Sequence, residues 1–477
     1  MSHLPNPLDD VSRGILESQA TSKAGIRNIL AGMFELLDRP QSVYLIVGFG
    51  VLLRGAALAT VMSQPLRNEA PGYERMALQF LHGERFAPYW PPGVPYYLSA
   101  FHRLFGESLL VARASIIPVY AVFSFLLYFL AAKLSSRRMA NFLVLAFVFY
   151  PPYIRFSFNP STEFPAATCL LGLVFLGILV VRNPSWAVSA GLGCAIGALI
   201  LIRPSSMLFA AAVPLYVFLK TRKAWISVIP LGVAALLISA WLWKAQALSG
   251  RLVPINNANW ENFYLGNNPQ TPLYKTWPEG QAESGFPKET LEQVRYVRSL
   301  PPADQSRVYR KTAFEHILAR PDLFLLRTLN RARAYFGFPI HHAEPLEKYL
   351  PTGAPRRLVG MAISIMDAAF YWPIMALAIL FVFSPADPRA RPDCLIPILG
   401  AVLVYALPYW ISFSQPRFNF PVVPLFGVLA AGFVESLLQK GDEHPLAQVY
   451  SVVRQNRGAL AALALFFYIQ IEWLLFA

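Results

Sequence analysis

Charge is what this sequence has least of. Only 14% of its 477 residues are Asp, Glu, Lys or Arg, while 55% are hydrophobic; soluble domains carry roughly 25% charged residues. The shortfall excludes an ordinary soluble enzyme. Cysteine is scarce as well: Cys169, Cys194 and Cys394 all fall inside apolar runs. With no spaced pair there is neither a zinc motif nor a disulfide framework, and cysteine usage says nothing about compartment. The N-terminus lacks the look of a cleavable signal. Residues 1–41 are polar, with Asp9, Asp10, Arg13, Lys23, Arg27 and Arg39, and the first apolar run begins near Ser42. They read as a cytoplasmic tail. No internal repeat or low-complexity stretch is present, and the lack of inverted halves argues against a secondary transporter.

What is present is a series of 11 apolar runs, at 42–63, 108–133, 138–154, 162–181, 185–202, 205–220, 224–247, 358–384, 393–412, 419–438 and 458–477. Crossing a hydrocarbon core takes about 20 apolar residues, so the reading is an all-α polytopic membrane protein. The shortest runs are 138–154 and 205–220. Two hydrophilic interruptions stand out, 64–107 and 248–357. The 40 prolines predict broken helices or structured turns between spans. Domain organisation follows directly: the tail at 1–41, spans 1–7 within 42–247 including the 64–107 loop, a loop at 248–357, and the remaining spans within 358–477.

Lysine-containing clusters set the orientation. Lys133/Arg137/Arg138, Arg182, Lys220/Arg222/Lys223, Arg389/Arg391 and Lys440 with Arg454/Arg457 all fall on one side if the chain alternates, together with the tail. The positive-inside rule makes that side cytoplasmic, so both long interruptions face outward. The outward segments hold arginines instead: Arg67, Arg75, Arg85, Arg103, Arg155, Arg203 and Arg417. A guanidinium fork suits phosphate. In a soluble chain the net charge of +14 would point to nucleic acid; here membrane lipids, lipid phosphates or an anionic substrate fit better, and no nucleic-acid partner is expected.

The first outward loop carries the most information. Arg67-Asn-Glu-Ala-Pro-Gly-Tyr73 opens an amphipathic helix lying along the membrane, with Asn68 or Glu69 as cap, Pro71 in the first turn and Gly83 at the end. Tyr73, Met76, Ala77, Phe80 and Leu81 form its apolar stripe, and Glu69 sits at its positive end. Glu74 falls on the solvent face of the same helix. Tyr89-Trp90-Pro-Pro-Gly-Val-Pro-Tyr-Tyr97 predicts a rigid extended turn. A second amphipathic pattern then runs through Phe101, Leu104 and Phe105 to Gly106. On these features alone, two interfacial helices that merely plug the outer mouth fit equally well.

Taken in order, these motifs resemble the first periplasmic loop of GT-C glycosyltransferases, in the branch of the protein O-mannosyltransferases and the lipid A aminoarabinose transferase. Further matches follow in sequence: Ser161-Thr-Glu163, Leu201-Ile-Arg203-Pro204, Tyr264-Leu-Gly-Asn-Asn-Pro269 and Gln415-Pro-Arg417-Phe-Asn-Phe-Pro421-Val-Val-Pro424. The resemblance spans roughly residues 42–440. It departs at one place, where Glu69 stands for the family's usual Asp. The resemblance implies a GT-C fold of about 11 transmembrane helices with amphipathic juxtamembrane helices and a small helical outer-side lid. It implies transfer of a sugar from a polyprenyl-phosphate donor to a glycan, lipid or protein acceptor on the periplasmic side of a bacterial inner membrane.

That reaction needs a carboxylate to take the acceptor proton, cations to hold the leaving phosphate and a greasy groove for the isoprenoid. Glu69 is the first choice of base; an inverting single displacement needs one. Glu163 is the second, and its alternative role is a helix-start carboxylate after Pro160, Ser161 and Thr162. For phosphate, Arg203 and Arg417 lead because each sits at a span end beside proline, with Arg155 and Arg85 behind them. Snorkelling to headgroups is the alternative reading of each. Tyr73, Tyr89, Trp90 and His102 are candidates for the groove. Arg54 lies mid-span and calls for an internal partner. Metal dependence is not indicated, since the outward loops have no Asp-X-Asp and no His/Glu pair at ligand spacing; a divalent metal stays open and no other cofactor is implied.

In the larger loop, Asn256-Asn-Ala-Asn-Trp260-Glu-Asn-Phe-Tyr-Leu-Gly-Asn-Asn268 is rich in amides and aromatics. Tyr264, Asn267 and Asn268 suit sugar hydroxyls and ring faces, and they suit plain turns as well. Residues 288–336 read as helices, the last with Arg327, Arg331 and Arg333 bordering an apolar face, as on an anionic membrane surface. Two other function classes remain open: a lipid-linked-sugar flippase or transporter, whose arginines recognise phosphate without chemistry, and a non-catalytic assembly subunit.

Overall fold

The computed structural model describes residues 32, 34–62, 64–85, 90–250, 255, 258–273, 288–338, 355–384, 391–439 and 445–476. Among them there is helix and turn but no strand. In order, the helices are α1 Ser42–Val61, α2 Ala70–His82, α3 Gly93–Phe105, α4 Leu109–Ala114, α5 Ile116–Ala131, α6 Arg137–Phe149, α7 Pro151–Arg155, α8 Glu163–Arg182, α9 Trp186–Ile202, α10 Phe209–Thr221 and α11 Ala224–Ser249. Then follow α12 Ala258–Gly266, α13 Lys288–Ser299, α14 Pro302–Ala319, α15 Pro321–Tyr335, α16 Arg356–Phe383, α17 Arg391–Ile411, α18 Val423–Gln439, α19 Pro445–Gln455 and α20 Arg457–Phe476.

Among the described residues, each of the 11 apolar runs contains helix. Among the described residues, eight helical stretches are long and apolar enough to cross a membrane, and Trp186–Ile202 and Val423–Gln439 are shorter apolar helices. The chain is a multi-pass membrane protein. The two shortest runs part ways. The 205–220 run gains a 3-10 turn at Pro204–Leu208 and reaches crossing length as Pro204–Thr221. The 138–154 run breaks after the 13 residues of α6, because Pro151 removes an amide and holds Tyr150 extended at ψ 116°.

Packing inside the bundle uses small residues where helices approach closely. Gly193 and Gly197, four apart on α9, face α11; a Cβ on Gly193 would lie 2.7 Å from the Pro230 carbonyl, and one on Gly197 3.2 Å from the Ala234 Cα. This is the small-xxx-small contact of membrane helices.

Two buried arginines, Arg54 and Arg113, bond to backbone oxygens. Arg54, fully buried, has no acidic partner among the bonds it makes. Its Nε donates to Ser157 Oγ (3.2 Å), its other nitrogens donate to the Gly50 and Tyr153 carbonyls (3.2 and 3.3 Å), and its guanidinium lies 3.5 Å above the Tyr120 ring. Carbonyl dipoles and a π-face thus replace the expected internal acid. Arg113, also fully buried, donates to the carbonyls of Phe158, Met62, Gln64 and Pro65 (2.8–3.2 Å). It therefore ties the segment after α1 to the segment before α8.

The 248–357 interval corrects one expectation. Arg327, Arg331 and Arg333 do not present themselves to a membrane surface. Arg327 and Arg331 are buried and donate to carbonyls of Asn268, Thr271, Gly266, Trp410 and Ile411, while Arg333 pairs with Glu472 of α20 at 2.6 Å. Leu325, Leu326 and Leu329 are the large hydrophobic residues that α15 exposes. The amphipathic pattern is real, but its cationic side faces inward, where Arg327 and Arg331 donate to backbone oxygens.

Candidate active site

The site is built at one end of the helices, opposite the lysine clusters: Glu163 opens α8 and Arg182 closes it. After α1 the chain turns at Asn68, whose φ of 58° is the left-handed region that Asn tolerates better than most residues. This turn delivers Glu69 to the start of α2. The Glu69 carbonyl accepts from the Gly72 and Tyr73 amides (3.0 and 3.2 Å), but its carboxylate makes no capping bond. The carboxylate is instead released toward the bundle, where it meets Arg417 at 2.5 Å. Helix α2 runs to Gly83, which closes it at φ 68°.

Glu163 and Arg203 make a second pair. Arg203 caps α9, its amide donating to Leu199 O at 2.7 Å, and Pro204 prevents the helix from continuing. Its side chain turns inward to Glu163 Oε1 at 2.9 Å and to the Tyr409 hydroxyl at 3.1 Å. Glu163 is 1% and Arg203 8% exposed. Such a buried pair needs further partners to offset its desolvation, and Tyr409, which also accepts from Ser205 Oγ at 3.1 Å, is one. Phe418 joins the two pairs: its ring stacks on Tyr409 at 4.7 Å, with the Arg203 and Arg417 guanidinium carbons 5.8 and 5.4 Å from its centroid.

Beside the pairs lies a small open cleft, lined by Glu69, Glu163, Arg417, Arg155, Arg67 and Asn159 among others. Tyr73 lies beneath it, buried and 5.3 Å from the Trp90 ring. Burial, reinforced by Glu69 and Glu163, holds its phenol well above the ordinary tyrosine range. For Arg417 burial acts downward, but Glu69 and Glu163 outweigh it and keep the guanidinium charged. Two carboxylates, Glu69 and Glu163, share the cleft lining with the guanidiniums of Arg67, Arg155 and Arg417, and Arg203 lies behind Glu163. That balance favours an anion. Among the described residues, no three His, Cys, Asp or Glu side chains converge as a metal-ligand group.

Several sequence candidates lie elsewhere. Arg85 is exposed on the far side of α2 from Glu69, about 20 Å along a helix of that length, and does not line the cleft. His102 is buried and bonded to Glu74 (3.0 Å) and the Gly106 carbonyl (3.2 Å), so it staples α3 to α2 instead of lining a groove. Glu74 is correspondingly not a solvent-face residue; its side chain is 12% exposed. Trp90 is half-buried against Gly72, and Tyr89 lies outside the described residues. The predicted extended turn gives way to helix: Pro92 is already right-handed (φ −77°, ψ −18°), α3 begins at Gly93, and Pro95 is tolerated in a first helical turn.

Tyr264 packs on Tyr309 (5.4 Å) in the small core of the 258–335 region. Asn267 donates to the Phe263 and Ile411 carbonyls, both at 2.9 Å. Asn268 donates to the Tyr264 and Leu265 carbonyls. Both amides are spent on the backbone, as turn residues are. Asn256 and Asn257 fall outside the described residues. Tyr409 and Phe418 were missed by sequence reasoning. Phe418 adjoins Arg417 and had that positional signal; Tyr409, in an apolar helix, had none.

Residues 90–243 match the family model described as dolichyl-phosphate-mannose-protein mannosyltransferase. No curated protein matches the chain. Among solved structures, the Archaeoglobus fulgidus oligosaccharyltransferase in the apo form is similar, at 13% identity and TM-score 0.44, covering 90% of this chain and 56% of that one. So is the same organism's AglB in complex with an inhibitory peptide and a dolichol-phosphate, at 13% identity and TM-score 0.42, covering 90% of this chain and 55% of that one. The chain spans little more than half the length of these proteins. Over residues 90–243, about a third of its length, the chain is thus similar to the dolichyl-phosphate-mannose-protein mannosyltransferases.

Proposed function

We propose that this chain transfers a sugar from a polyprenyl-phosphate-linked donor to an acceptor hydroxyl, at the periplasmic side of a bacterial inner membrane. The observation that carries this reading is that Glu69, Arg417 and Glu163 line one cleft, with Arg203 bonded to Glu163 behind it. Glu69 and Arg417 lie outside the family-matched residues 90–243, so their roles rest on geometry.

The chemistry is a single inverting displacement. The acceptor oxygen forms a bond to the anomeric carbon while the bond from that carbon to the phosphate oxygen breaks. Glu69 takes the acceptor proton through the oxygen that Arg417 does not hold. The electron pair leaves with the polyprenyl phosphate, whose growing charge Arg417, Arg155 and Arg203 stabilise. Glu163 holds Arg203 in place.

Purified protein incubated with a panel of polyprenyl-phosphate sugars and simple acceptors tests this, with donor loss read by mass spectrometry. Consumption of one donor that stops in Glu69→Gln supports the reading. A Glu69→Gln protein that consumes donor at the wild-type rate rejects it.

A further inference from the structure

One cation fits none of these roles. Lys244 sits near the end of α11, and among the described residues it is the one lysine at the cleft-side end of a membrane span. Counting about 20 residues from Ala224 brings a hydrocarbon core to residue 243, so Lys244 begins the headgroup level. Its neighbour Trp243, 76% exposed, suits that depth.

The ammonium is seated on rings. Lys244 Nζ lies 5.0 Å from the Phe80 centroid and 4.8 Å from that of Tyr96. Phe80 and Tyr96 are 5.0 Å apart, and Trp241 lies 5.8 Å from each. Phe80 comes from α2 and Tyr96 from α3, so the seat joins the loop hairpin to α11. Ring faces attract the cation but carry no net charge, and no carboxylate of the described residues forms an ion pair with it. The half-exposed side of the ammonium is left to the interface, where the abundant anion is phosphate.

We propose that Lys244 on its Phe80/Tyr96 seat binds a lipid-borne phosphate at the membrane interface. The site is separate from the cleft: Phe80 is 11 residues from Glu69 along α2, about 16 Å. An occupied site clamps the far end of the hairpin whose near end presents Glu69. The phosphate comes either from a glycerophospholipid headgroup or from a polyprenyl phosphate.

Native mass spectrometry of wild type, Lys244→Gln and Lys244→Arg separates these sources. Each protein is placed in phosphatidylcholine, alone or doped with phosphatidylglycerol or with polyprenyl phosphate, and retained lipids are counted. Lys244→Gln should retain the doped lipid about fivefold more weakly, the effect of one interfacial lysine, and Lys244→Arg should retain it as wild type does. Preference for polyprenyl phosphate assigns the carrier lipid; equal retention of both assigns headgroup phosphate in general. Undiminished retention by Lys244→Gln in both mixtures overturns the proposal. If Lys244→Gln does not fold, wild-type protein is acetylated with a small anhydride and mapped: anionic lipid should protect Lys244, and equal labelling in all lipids overturns the site. Both readouts are independent of sugar transfer, so they stand apart from the proposed activity.

Discussion

Arg417 and Glu69 meet at 2.5 Å across 348 residues of sequence. Their side chains are 34% and 28% exposed, so the contact stays open to a ligand. Bringing the start of α2 against the turn before α18 defines one wall of the cleft.

The first prediction concerns that carboxylate. Glu69→Gln keeps the size and a hydrogen bond to Arg417 but accepts no proton. Turnover should fall by a factor of about 10²–10⁴, the usual range for a general base. Donor affinity and melting temperature should change little. Donor-consumption assays check this, and turnover within a few-fold of wild type would sink the base assignment.

The second prediction separates charge from fit. Arg203→Met leaves Glu163 buried and unpaired, which costs about 3–5 kcal/mol when one partner of a buried pair is removed. Adding Glu163→Gln removes the orphaned charge and should restore most of the melting temperature. If the double variant is no more stable than Arg203→Met, the pair is not what stabilises the end of α9.

A third prediction concerns Asn68. At φ 58°, a β-branched residue is strained by about 1–2 kcal/mol. Asn68→Val should lower the melting temperature and weaken turnover by displacing Glu69, whereas Asn68→Gly should preserve both. Equal behaviour of the two variants would remove the turn from the account.

How much of this the sequence discloses depends on distance along the chain. Span positions were legible because hydropathy is a local sum, and α2 because its cap, stripe and Gly83 lie within 15 residues. The partners of the arginines were not. Arg54 called for an acid, but its bonds go to Ser157 and to the Tyr153 carbonyl of a distant turn, and backbone oxygens leave no mark in composition. The same reason explains α15: its pattern revealed an amphipathic helix, but which face the bundle covers depended on carbonyls from α12 and α17. Asn267 and Asn268 likewise carried two equal readings until their amides were seen to hold backbone.

The last prediction uses that arrangement. Arg331 is fully buried and reaches the carbonyls of Trp410 and Ile411 on α17 as well as Gly266 at the end of α12. One planar fork therefore docks the 258–335 helices onto a membrane span, and an ammonium cannot span those positions. Arg331→Lys should cost about 2 kcal/mol, in the range of lost hydrogen bonds to a charged group. Because the contacts are local, the loss should appear as faster amide exchange in 258–266 and 321–335, with exchange in α8 and α9 unchanged. Turnover should fall less than in Glu69→Gln, since no cleft residue is altered. Exchange that quickens equally in α8 and α9 would mean that Arg331 supports the whole bundle and not the docking of its outer helices.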